Sequence, residues 1–73
     1  MINSIGYNLR MLRFKHNLTQ KQVAEATGIS INSISVYEND KRFPKKEEIQ
    51  KLADFYKADI DEILIGNNRP TSD

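Results

Sequence analysis

Apolar residues recur at Ile5, Leu9 and Leu12, four and three positions apart, with Asn8, Arg10, Arg13 and Lys15 set between them. That spacing lays one apolar stripe along a helix and predicts a first helix closing near His16. Asn17 tolerates the left-handed conformation that ends a helix, and Leu18 can fold back onto the last turn. Thr19 is suited to accept the Gln22 amide, and Gln22 can reach back to the Thr19 amide, the reciprocal pattern of a capping box. The second helix then runs through Val23, Ala24 and Ala26 for only about two turns before Thr27 and Gly28 stop it. Gly28 can take a positive φ without steric cost. Ile29 is expected as a buried plug, Ser30 offers another N-cap hydroxyl, and Ile34 and Tyr37 are the inward positions of a third short helix. Two helices joined by a tight glycine-containing turn constitute a helix-turn-helix signal.

Beyond it, residues 39–44 form a polar loop ended by Pro44, a residue suited to precede a helix. Ile49, Leu52, Ala53 and Tyr56 predict a fourth helix over roughly Lys45 to Tyr56, with Phe55 nearby. Asp59 is placed to cap a fifth, in which Ile60, Ile63 and Leu64 are apolar and Glu62 completes a second capping-box pattern. Gly66 ends it. The pattern therefore predicts an all-α domain over residues 1–66 and a polar tail over 67–73, containing Pro70 and expected to be disordered. Strand alternation and repeats do not stand out.

Composition narrows the classes. A chain of 73 residues supports one small core, and with no cysteine neither disulfides nor thiolate metal sites can supplement it. The apolar runs fall far short of a membrane span, and Met1 to Asn8 lack the basic and apolar blocks of a signal peptide, so a cytoplasmic protein is expected. Enzymatic chemistry finds little support. His16 has no cysteine or histidine partner, a glycine-rich phosphate loop is lacking, and Glu47, Glu48, Asp59, Asp61 and Glu62 fall where helix-surface and cap residues belong. His16 itself suits a helix C-terminus, where it favours the dipole. Neither a cofactor nor a metal is expected.

The segment Gln20 to Tyr37, QKQVAEATGISINSISVY, resembles the phage-repressor (Cro/CI-type, or XRE-like) helix-turn-helix family. The likeness continues upstream through IGYNLRMLRFKHNLTQ and downstream through YENDKRFPKKEEIQKLADFYKADIDEIL, without a gap. Its physical content is Gln20 opening the second helix, small Ala24 where two helices cross, Gly28 in the turn, and Ile29, Ile34 and Tyr37 as inward anchors. The resemblance implies a five-helix, lambda-repressor-like domain that binds double-stranded DNA sequence-specifically and regulates transcription, as a repressor on a pseudo-palindromic operator. In that family the third helix enters the major groove and the second lies across the backbone.

Carried onto this chain, the resemblance makes Ile31, Asn32, Ser33, Ser35 and Val36 the base readers. The Asn32 amide can pair with N6 and N7 of adenine, and the methyl groups of Ile31 and Val36 suit thymine, which points to an A/T-containing half-site. The family more often has polar residues at those two positions, and burial in a dimer or against the first helix is the other reading of them. Phosphate contacts would fall to Thr19, Gln20, Asn39, Lys41, Arg42, Lys45 and Lys46, and to the amides opening the second and fourth helices. Lys41 and Arg42 also suit an ordinary solvated loop. Lys45 and Lys46 cannot accept from free amides where the family commonly has Ser or Asp, so either a phosphate caps the fourth helix or Pro44 and water suffice.

Arg13 and Glu38 occupy positions where the family carries a structural ion pair, and Asp40 replaces a glycine common in its loop. The net charge of +1 is unevenly spread, with Arg10, Arg13 and Lys15 unopposed in residues 1–20 and Asp59, Asp61, Glu62 and Asp73 set against Arg69 after residue 57, as expected if one face meets nucleic acid. One recognition helix covers a half-site, so a homodimer is implied, with Phe43, Ile60, Ile63, Leu64 and Ile65 as interface candidates, Ile63 and Leu64 fitting the core better. No membrane or small-molecule substrate is expected as a partner. The competing reading is a protein-interaction module of the same fold, antitoxin-like or an anti-repressor partner, with weak or no DNA binding.

Overall fold

Ser4 opens the first helix, its hydroxyl accepting the Tyr7 amide at 3.0 Å. In the computed structural model, which describes residues 4–66, five helices follow: α1 (Ile5–Lys15), α2 (Gln20–Thr27), α3 (Ile31–Glu38), α4 (Lys46–Tyr56) and α5 (Ile60–Leu64). No strand occurs among the described residues. The tail expected at 67–73 lies outside them.

Local chemistry sets most boundaries. His16 caps α1 and Asn17 turns the chain at φ 57°, after which the Leu18 amide returns to the Arg13 carbonyl at 3.1 Å. Thr19 and Gln22 form the reciprocal cap of α2, Gly28 ends it at φ 78°, and the Ser30 hydroxyl accepts the Ser33 amide at 3.1 Å to start α3. The fourth helix begins one residue later than the apolar spacing implies. Lys45 keeps an extended ψ of 152° while its carbonyl takes the Ile49 amide at 2.9 Å, which makes it the half-in cap position. The Glu62 carboxylate accepts the Asp59 amide at 3.2 Å at the entry to α5.

These helices pack α1 against α3 and α5, with α2 against α3 and α4 and α5 against α4. The core between them comprises Leu9, Leu12, Val23, Ile29, Ile34, Tyr37, Ile49, Leu52, Ala53, Tyr56 and Ile63. Val23 and Ile63 are fully buried, and burial of such a side chain is worth about 1.5–3 kcal/mol. Two polar residues, Asn8 and Glu38, are buried with them. The buried Asn8 amide donates to the Ile63 carbonyl at 2.8 Å, fixing α5, a helix too short to persist alone, to α1. Among the described residues no helix is long and apolar enough to cross a membrane, and no group of side chains could hold a metal ion.

Candidate nucleic-acid interface

Because the Ser30 cap fixes its first turn and Ile34 and Tyr37 are driven inward, α3 has one face in the core and one in solvent. Ile31 is 48% exposed and Asn32 is also exposed. Ser33, Ser35 and Val36 are half-buried, and the Ser33 hydroxyl lies 3.0 Å from that of the Ser30 cap. The two apolar readers thus part company: Val36 packs against the core while Ile31 projects freely. Asn32 presents both donors and an acceptor to whatever approaches.

The far end of α3 is held by Glu38, which is 2% exposed. Arg13 meets its carboxylate as a fork, Nε to Oε2 at 2.8 Å and Nη2 to Oε1 at 2.9 Å, and donates a third bond to the Leu18 carbonyl at 3.0 Å. The hydrogen bond to Glu38 raises the Arg13 pKa above its ordinary value, against the lowering effect of burial. Gln20 donates its side-chain amide to Oε1 at 3.0 Å, and Arg10 donates to the Glu38 carbonyl. Gly6 lies where α1 crosses this end of α3, and its amide donates to the Asp40 carboxylate at 2.9 Å. A Cβ at Gly6 would fall 2.4 Å from the Glu38 carbonyl oxygen.

Arg10, Gly6 and Asn8 carry none of this in the sequence pattern. Arg10 looks like an ordinary exposed helix cation, Gly6 is a helix-interior glycine, and Asn8 stands among polar neighbours. Asp40 adopts the left-handed conformation at φ 58°, which brings its carboxylate to the start of α1. The basic bias of residues 1–20 is in consequence partly internal, since Arg10 and Arg13 both turn to Glu38.

Lys41, Arg42, Lys45 and Lys46 are exposed on the loop after α3 and the first residues of α4. No side chain caps α4, although Glu47 and Glu48 stand in its first turn. Glu48 instead accepts the Tyr37 hydroxyl, and burial first, then this bond, raises the Tyr37 pKa. Besides Gln20, whose side chain is held by Glu38, two of the phosphate candidates are committed within their own helix ends. The Thr19 hydroxyl accepts the Gln22 amide at 3.1 Å, and the Asn39 amide donates to the Ser35 carbonyl at 2.9 Å. Elsewhere, Phe43 and Ile60 rim an apolar groove of about 590 Å³ floored by Ile49 and Leu64. Phe43 is 68% exposed, Ile60 and Ile65 more than a third, whereas Ile63 lies in the core and Leu64 is half-buried against it.

A family model described as a helix-turn-helix domain matches residues 6–69. The chain belongs to the phage-repressor-like branch of the helix-turn-helix family. Within this helix-turn-helix family it is 40% identical over 58 residues to the HTH-type transcriptional activator BcrR of Enterococcus faecalis, covering 80% of this chain and 28% of that one. It is 38% identical over 56 residues to the cryptic phage CTXphi transcriptional repressor RstR of Vibrio cholerae, covering 77% and 50%. The chain therefore spans half or less of these relatives' lengths. Its backbone superposes on the P22 c2 repressor, solved in complex with synthetic operator 9T, with a TM-score of 0.83 at 25% identity, covering 89% of this chain and 98% of the other. That likeness fixes the fold as the five-helix, lambda-repressor-like one.

Proposed function

We propose that this helix-turn-helix domain binds double-stranded DNA as a sequence-specific regulator of transcription, acting as a repressor on a pseudo-palindromic operator. The observation that carries the reading is the free outward side of α3, with Ile31 and Asn32 exposed at its N-terminal turn, on a fold shared with a repressor solved on operator DNA. In this reading Asn32 pairs with an adenine, Ile31 and the accessible part of Val36 meet thymine methyls, and Ser33 and Ser35 make shorter contacts to base edges. Lys41, Arg42, Lys45 and Lys46 position the backbone, joined by the amides opening α2 and α4 beside Thr19 and Gln20 and by Asn39 at the end of α3. The domain binds rather than catalyses, in keeping with its family.

Two recognition helices one turn of duplex apart require two copies. The groove between Phe43 and Ile60 is the surface on which a second copy would sit, its apolar lining being the kind of core that dimer interfaces use.

Selection of bound fragments from random duplex DNA tests the proposal directly, since it yields both the half-site and its spacing. Asn32→Ala should relax preference at one base pair by about 1–3 kcal/mol, whereas Lys41→Ala should weaken all sequences alike and lower the salt slope by about one. Absence of any binding at low salt would reject the DNA reading in favour of a protein-interaction module, for which the exposed apolar Ile31 is the favouring feature.

A further inference from the structure

Gln20 stands on the first turn of α2, yet its side chain turns inward to Glu38 at the end of α3, Nε2 to Oε1 at 3.0 Å. The same oxygen takes Arg13 Nη2 at 2.9 Å, so one buried carboxylate joins a residue from each of α1, α2 and α3. We infer that Gln20 is a positioning residue, which sets the placement of α3 against α2 through Glu38 and leaves phosphate contact at this point to its backbone amide. Its neutral amide suits the site. A carboxylate or an ammonium there would upset a carboxylate already matched by one guanidinium.

Gln20→Glu distinguishes this role from a phosphate-contacting one. On the first turn of a helix a carboxylate is ordinarily favourable, through the dipole. Against Glu38 it becomes a like charge at hydrogen-bond distance, and one proton of the pair is held above the usual carboxylate range. Among the described residues, the charged or titratable groups around Glu38 are Arg13 and Arg10 from α1, Tyr37 beside it on α3, Asp40 in the loop after it, and Tyr56 from α4, whose pKa burial raises above the ordinary tyrosine value. A group whose folded-state pKa is raised supports the fold at low pH and ceases to as pH rises through that value. The variant should therefore melt close to the wild type at pH 5.5 and about 5 °C further below it at pH 8. Its affinity for the selected operator, relative to wild type, should fall about tenfold over the same interval.

Gln20→Leu serves as the uncharged control and should show a deficit independent of pH. A melting difference for Gln20→Glu that is flat from pH 5.5 to 8, or a net stabilisation at pH 8, would overturn the inference. So would equal losses of DNA affinity at both pH values, which a carboxylate facing a phosphate predicts. The binding arm rests on the DNA-binding reading; the melting arm needs no DNA, so failure of either is told apart.

Discussion

Two glycines in this chain restrict it for different reasons. Gly28 adopts φ 78° with open space where a Cβ would be, so Gly28→Ala meets only backbone strain and should cost about 1–2 kcal/mol. At Gly6 the backbone is helical, but a Cβ would press on the Glu38 carbonyl and the Asp40 carboxylate. Gly6→Ala must therefore push α1 away from the end of α3, and should cost more than Gly28→Ala in urea unfolding and loosen α3 as well. Glu38→Ala should cost still more, up to about 3–5 kcal/mol, because it leaves the partly buried Arg13 without its carboxylate partner. In a domain of this size that is most of the stability. A Glu38→Ala protein with unchanged melting and affinity would refute the scaffold role of this residue.

At the scale of elements, α4 alone among the longer helices lacks a side-chain cap. Lys45→Ser supplies the missing acceptor and should raise stability by about 1 kcal/mol. If a phosphate occupies that end on the operator, the same change should weaken binding, so melting temperature and affinity should move in opposite directions. The five helices, their order and most of their caps were legible in the chain because each is decided within three or four residues: hydroxyls at Ser30 and Thr19, Gly28, the apolar spacing of Ile49, Leu52 and Tyr56. The ties across the fold were not. Asn8 meets Ile63 over 55 positions, and Gly6 meets Asp40 over 34, and no periodicity in a single sequence encodes such pairs. The candidate site shows the same division. Its exposed helix could be read from the pattern, whereas the inward turn of Gln20 and Arg10 depends on where Glu38 lies in space.

For the whole molecule, alkaline titration gives a global probe. Tyr37 and Tyr56 are both buried with pKa values raised above the ordinary tyrosine range, in each case chiefly by desolvation. Their neutral forms are the ones that fit the fold, so their support is complete below pH 10 and is lost as pH climbs towards their folded-state values. Unfolding should set in above about pH 10, and Tyr56→Phe should make that limb shallower when followed by circular dichroism. Assembly offers a second probe. Phe43→Glu changes a side chain that is 68% exposed and should leave the fold intact; if two copies pair through the proposed groove, sedimentation should shift towards the monomer and affinity for the proposed operator should drop.

The bond from the Gly6 amide to Asp40 ties the first turn of α1 to the loop that leaves α3. A displacement of α3 would have to lengthen or break it. That single proton is thus an internal gauge: its exchange with deuterium, read by NMR, should quicken in any variant that sets the helix adrift and, if α3 seats in a duplex as proposed, slow on binding, without a label on the proposed contact surface.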